Sequence, residues 1–174
     1  MPVRIIAHLD DEAFQAAVRE LHRRVRNLRP LLQEIGEEMV EATKERFRTQ
    51  RDPQGRPWQP LAPKTRKYKR KNQDQILTLD ARLRNSIIYQ VRGNRVIWGS
   101  SLAYAAAHQL GVDRLVQVRE HLRRIGRGRR RRQVTVRPHV RRMFLPARPF
   151  LGVSQKDLRT IERLVRKHLR LTSL

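Results

Sequence analysis

Twelve arginines and one acid, Glu120, occupy residues 114–142, and every base in that stretch is arginine rather than lysine. Such a block cannot enter an apolar core, because each buried guanidinium needs a partner and one carboxylate cannot serve them all. It has to lie in solvent or against something negative. Residues 64–71 (KTRKYKRK) add six bases and no acid, so the two segments carry +6 and +11 of a net charge of +24. The rest of the chain is close to an ordinary domain surface. Arginine presents a planar five-donor fork suited to phosphate or carboxylate, whereas lysine is a hydrated point charge. The partner classes this charge allows are nucleic acid, an anionic membrane surface and an acidic protein.

The block is patterned. Val118-Arg119-Glu120-His121-Leu122-Arg123-Arg124-Ile125 resembles Val136-Arg137-Pro138-His139-Val140-Arg141-Arg142-Met143 at an offset of 18. Strand periodicity places Val116, Val118, Glu120 and Leu122 on one face, and Gln117, Arg119, His121 and Arg123 on the other. The second string divides the same way: Val134, Val136, Pro138 and Val140 against Gln133, Thr135, Arg137, His139 and Arg141. The expectation is a β-hairpin arm at 114–142 with one apolar face, one Arg/His face and a charged tip, Gly126 to Arg132. The apolar face should pack on the body or a neighbour, since an isolated two-stranded ribbon is marginal in water. Pro138 should occupy an edge or bulged position. The contact residues for DNA or an acidic partner are Arg119, His121, Arg123, Arg124, Arg127, Arg129, Arg130, Arg131, Arg132, Arg137, His139, Arg141 and Arg142. Lys64, Arg66, Lys67, Lys69, Arg70 and Lys71 form a secondary basic patch. Three readings stay open: nucleic-acid backbone, an acidic protein surface, or a solvated loop.

Around the arm, residues 1–113 and 143–174 read as a single body, a size suited to one domain. Residues 10–28 predict an amphipathic helix, with Asp10 and Asp11 at its N-terminus and Phe14, Ala17, Val18, Leu21, Val25 and Leu28 at helical spacing. Pro30 opens a second helix carrying Leu32, Ile35, Met39, Thr43 and Phe47 on one side. Its glutamates, Glu34, Glu37, Glu38, Glu41 and Glu45, read as a solvated face turned toward the arginines of the first helix. Four prolines and Gly55 end that helix within residues 49–63, and Asp52-Pro53-Gln54-Gly55 predicts a turn. A short helix is expected around 63–71, then Asp80 as N-cap of a helical turn through Leu83. Residues 86–100 predict a hairpin about Gly93-Asn94. Leu102 to Leu110 suits a short buried helix containing a satisfied His108, and Ser154-x-x-Asp157 resembles a capping box before the last helix. Trp58, Trp98, Tyr104 and Phe150 are the expected anchors. The fold class is α+β: long helices on a small antiparallel sheet, with the basic hairpin extended from it.

No cysteine is present, so there is no disulfide, thiolate nucleophile or Cys-type zinc site. Apolar runs are far shorter than the ~18–20 residues of a membrane span. The start MPVRIIAHLDDE runs into three acids and does not read as a secretory signal. No Walker loop, dinucleotide-binding glycine pattern, HExxH or Gly-x-Ser-x-Gly occurs, and the six histidines lack metal spacing. The residues point to neither an active site nor a cofactor.

The order of segments is informative in itself. ATKERFRTQRDPQGRPWQPLAPKT, LTLDARLRNSIIYQV, VIWGSSLAYAAAHQLG and LPARPFLGVS, followed by a terminal helix, resemble the phage virion morphogenesis family. These are the tail completion (neck) proteins of Mu-like and P2-like tailed phages. The likeness runs over roughly residues 30–170 through Asp52, Pro53, Gly55, Trp58 and Leu61; Arg82, Leu83 and Ser86; Trp98-Gly99; Tyr104-Ala105; His108-Gln109; Gly111; and Pro146 to Gly152. It implies a non-enzymatic virion component, assembled in the host cytoplasm, that joins head and tail. The implied form is a six-fold ring around the DNA channel, with connector and tail proteins as neighbours and no membrane partner. The alternative is a non-sequence-specific DNA-binding protein acting outside a virion.

Overall fold

The computed structural model describes residues 12–126, 128 and 131–169, without the side chains of Ala13 and Phe14. Asp10, Asp11, the Phe14 side chain and Arg127, Arg129 and Arg130 of the expected tip lie outside the described residues.

Helix α2 (Arg29–Thr49) organises the body. Pro30 sits in its first turn, where the missing N–H costs nothing, and the helix ends at Gln50 in a left-handed conformation, φ 55°. On its buried side, Leu31, Ile35, Met39 and Phe47 divide between two apolar clusters, and Thr43 donates its hydroxyl to the Met39 carbonyl at 2.7 Å. Phe47 joins Trp58, Ile76, Leu83, Ile87, Ala105 and Phe150. Leu31, Ile35 and Met39 join Leu164 of helix α6 (Gln155–Leu169), with Trp98, Ile161 and Val165 packed around them. Helix α1 (Glu12–Arg26) precedes α2, and the short helices α3 (Pro63–Tyr68), α4 (Arg82–Asn85) and α5 (Ala105–Leu110) mark the connections.

Strands β1 (Ile87–Arg92) and β2 (Arg95–Ser100) pair around Gly93, φ 56°, as the turn dipeptide requires. The inner face of this hairpin lies on α2, where Gly36 allows the Tyr89 ring to approach so closely that an added Cβ would overlap it. Strands β3 (Val112–Val118) and β6 (His139–Leu145) form a second antiparallel ladder, and β4 (His121–Ile125) and β5 (Arg132–Val136) a third. The class is α+β, with three separate two-stranded sheets rather than one small sheet.

Several local expectations hold. Ser154 and Asp157 make the reciprocal cap, Ser154 N–H donating to Asp157 Oδ2 at 2.7 Å and Asp157 N–H to Ser154 Oγ at 3.1 Å. Asp52 organises its turn by accepting from the N–H groups of Gln54 and Arg56, both at 2.9 Å. Trp58 and Phe150 are anchors, 4 % and 0 % exposed. Others fail. Asp80 does not cap α4, whose N-cap is Ala81 at φ 57° with no side-chain cap bond. Tyr104 is exposed rather than an anchor, and Trp98 is only partly buried, at the rim of the second cluster. Only Ala105 is buried in α5. The α1 stripe Val18, Leu21 and Val25 faces solvent, and it is Arg24 that reaches α6, donating to the His168 carbonyl at 3.2 Å. The α2 glutamates do not meet α1 arginines: Glu41 and Glu45 pair with Arg48, Glu34 with Lys167, and Glu37 accepts from the Tyr89 hydroxyl. α1 packs toward α6 instead of folding back along α2.

Candidate nucleic-acid interface

Residues 112–145 form a ribbon in which the two ladders share one register, from Val112 opposite Leu145 to Ile125 opposite Arg132. Pairing lapses at Arg119-Glu120 and, across from it, Arg137-Pro138. Pro138 has no N–H to offer a ladder, which accounts for the lapse on its strand.

The expected apolar face does not exist. Directly opposed residues share a face, and the register sets Val116 opposite Arg141, Val118 opposite His139, Val134 opposite Arg123 and Val136 opposite His121. Each string alternates as expected, but the turn pairs the apolar set of one strand with the basic set of the other. A one-residue slip would have gathered the valines together. Both faces are therefore mixed, and both are open: Leu115 is 72 % and Phe144 64 % exposed, and Leu122 and Val140 are exposed as well.

Every described arginine of the ribbon is exposed: Arg114, Arg119, Arg123, Arg124, Arg131, Arg132, Arg137, Arg141 and Arg142. Among the described residues one of them has a carboxylate partner. Arg142 grips Asp113 through Nε at 2.7 Å and Nη2 at 2.5 Å, and stands 6.0 Å above the Phe144 ring. That hydrogen bond holds the Asp113 carboxyl below its usual range. His121 and His139 do not face each other across the ladder. Each turns Nδ1 to the carbonyl oxygen two residues back, of Arg119 and of Arg137, at 2.9 Å in both cases.

The secondary basic patch is only partly available. Lys69 Nζ donates to the carbonyls of Asn72, Gln75 and Thr78 at 2.6, 2.5 and 2.7 Å, and so folds the 69–79 loop around itself. Burial pulls its pKa down, against the pull of Asp74. Arg66 pairs with Asp74, and Lys71 lies 3.9 Å from Asp80. Lys64, Lys67 and Arg70 remain exposed with no carboxylate partner among the described residues. Lysine within a basic run gives no sign in sequence of such internal use.

Three polar residues to which sequence reasoning gave no structural role hold the body together. Arg148, 5 % exposed, donates to the carbonyls of Gln59 and Pro60 at 2.8 and 3.1 Å. Gln109 donates to Leu151 O and accepts from the N–H groups of Phe150 and Leu151, all at 3.0 Å. Arg46 donates to the carbonyls of Phe150 and Gly152 and to the Asp157 carboxylate. Beside the ribbon's root, a mostly apolar groove of about 780 Å3 runs past Leu61, Leu79, Tyr104 and Phe144. His108 and Arg148 also line it.

His108 is not satisfied as expected, since its buried Nδ1 has no partner among the described residues. Burial, aided by the Arg148 charge, lowers its pKa below the ordinary 6.5. The folded state thus favours the neutral ring while the unfolded chain takes up a proton. Stability is full above the unfolded value and is lost as pH falls from there through the depressed folded value. His108→Gln should flatten this part of a urea-midpoint profile taken between pH 7 and 5. A wild-type profile that is already flat there would count against the assignment.

Among the described residues no group of His, Asp and Glu gathers to hold a metal, and no helix is long and apolar enough to cross a membrane. No curated protein and no solved structure matches the chain. The sequence pattern of the phage virion morphogenesis family, in contrast, matches residues 9–170, nearly the whole length. With a body built around Trp58, Arg148 and Phe150, an exposed arginine ribbon and that match, the chain belongs to the phage virion morphogenesis family, a family of virion assembly.

Proposed function

We propose that this chain is a neck, or tail completion, component of a tailed phage, and that copies of it form a six-fold ring joining head to tail around the DNA channel. The observation that carries the reading is the 112–145 ribbon, which one copy leaves uncovered on both faces although it bears both apolar side chains and arginines. Two strands in water are marginal without a covering surface, so the ribbon calls for neighbours. The solvent-facing stripe Val18, Leu21 and Val25 on α1 asks for the same. In this reading 114–142 is an arm inserted into the body, and a closed ring satisfies such surfaces in every copy at once.

Electron micrographs of particles made without this chain should show filled heads and full-length tails lying apart. Joined particles in normal number would overturn the reading. The net charge of +24 favours a second possibility, a protein that coats DNA outside any virion. Its mark would be absence from purified virions together with a monomeric or dimeric mass.

A further inference from the structure

Most of the ribbon's described arginines lack counter-charges in one copy, and the same chain carries a surface of opposite sign. Residues 34–45 hold five glutamates and one lysine, in a chain of net charge +24. Glu34, Glu38, Glu41 and Glu45 follow helical spacing, which sets them in one stripe along α2, on the side away from Ile35, Met39 and Thr43. The stripe is about 16 Å long at roughly 1.5 Å per residue. Glu38, Glu41 and Glu45 are exposed, and Glu38 has no cationic partner among the described residues. Glu34 meets Lys167 at 3.4 Å, and Glu41 and Glu45 meet Arg48 at 2.7 and 2.5 Å. All of these pairs are open to solvent, where such contacts are worth little. On the ribbon, the register gathers a complementary face. Arg114, Val116 and Val118 share it with Arg141 and His139, and the same register adds Arg137 across from Glu120. Arg114, Arg137 and Arg141 are exposed and have no carboxylate partner among the described residues. They spread over about 20 Å of ribbon at roughly 3.3 Å per residue.

We infer that this face of the ribbon docks on the glutamate stripe of α2 in a second copy of the chain. Its arginines alternate with valines, and a phosphate backbone gives those valines nothing to pack on. A helix face offers both kinds of contact, since α2 sets Ala42 beside Glu38, Glu41 and Glu45. Every base of 114–142 is arginine. Interfaces between proteins enrich arginine and deplete lysine, whereas phosphates are neutralised by both. The ribbon also displays the contact in miniature, because Arg142 holds the Asp113 carboxylate with two nitrogens of its fork. Ribbon and stripe are different patches, so copies joined this way follow one another head to tail, the arrangement that closes into a ring. The inference deepens the proposed neck function by naming the surfaces that join its copies, and it rests on that reading for its setting in the particle.

The test is the mass of the full chain by sedimentation velocity at about 0.1 M salt. The wild type should run as an oligomer. One variant reverses the ribbon face (Arg114→Glu, Arg137→Glu and Arg141→Glu), the other the stripe (Glu34→Lys, Glu38→Lys, Glu41→Lys and Glu45→Lys). Each alone should associate at least about a hundred-fold more weakly, because like charges then face one another. Mixed in equal amounts the two should assemble again, since the ribbon of each meets a stripe of opposite charge in the other. Both variants stay strongly basic, so net charge cannot draw them together. Wild type that remains monomeric, or that assembles only around added duplex DNA, overturns the inference without any variant having to fold. So does either variant that assembles as the wild type does, or a mixture of folded variants that stays apart. Rings that survive both reversals would sink this inference alone, whereas assembly through this contact by a protein absent from purified virions would sink the neck reading alone.

Discussion

Asp157→Ala should lower the unfolding free energy by about 3–5 kcal/mol, read as a shift in urea midpoint at constant slope. Arg46 and Asp157 are both nearly buried, and Arg46 Nη2 meets Asp157 Oδ2 at 2.5 Å. Removing the carboxylate strands a guanidinium inside the protein, which costs far more than the intact pair contributes. Burial already pulls the Arg46 pKa down, with Asp157 and Asp52 opposing that pull. The same substitution also frees the Ser154 N–H that Asp157 accepts, and so opens the first turn of α6. Asp157→Asn, which keeps an acceptor for Ser154 while losing the charge, should fall between the two. A loss below ~1.5 kcal/mol for the alanine variant would mean that Arg46 is not held in the core as described. Because Arg46 also ties down the carbonyls of Phe150 and Gly152, the α2–α6 packing and the 150–152 segment should loosen together.

Trp58→Ala should cost about as much, roughly 3–5 kcal/mol, for a different reason. The indole is 4 % exposed and packs edge-on to Phe47 at 5.5 Å between centroids, with the Phe150 ring 5.4 Å from the same Phe47. Truncation leaves a cavity that the surrounding helix and loops cannot close. Its Nε1 also donates to Pro149 O at 2.8 Å, which joins the proline-rich loop to the segment before Phe150. Trp58→Phe keeps most of the apolar volume but orphans that carbonyl, for an expected loss of about 1–3 kcal/mol. If Trp58→Ala cost under ~1 kcal/mol, the loop would owe its position to something else.

Both predictions concern residues whose visibility in the sequence differed. Trp58 stood out as a large apolar side chain in an irregular, proline-rich stretch that must be pinned somewhere. Arg46, Arg148 and Lys69 did not, since a base in a chain this basic reads as surface. Their partners are mostly backbone carbonyls of segments distant in sequence, and no residue type announces a carbonyl that needs a donor. The run AAAHQLG around His108 shows nothing of that ring's hydrogen bonding. Its orphaned Nδ1 depends on how α5 meets the groove. The ribbon shows the same division within one element. Alternation along each strand was legible, whereas the composition of each face was not, because that depends on which residue lies opposite.

The sequence by itself determined the helices, the hairpins, the confinement of most of the charge to two segments and the repeat of 18, because spacing, turn residues and charge are local properties of the chain. Only the tertiary structure decided which basic side chains are consumed inside the body, that α1 leaves its apolar stripe uncovered, and that the valines of each repeated string lie opposite the basic residues of the other. Those outcomes rest on register and on contacts between distant segments, where a shift of one residue exchanges every face.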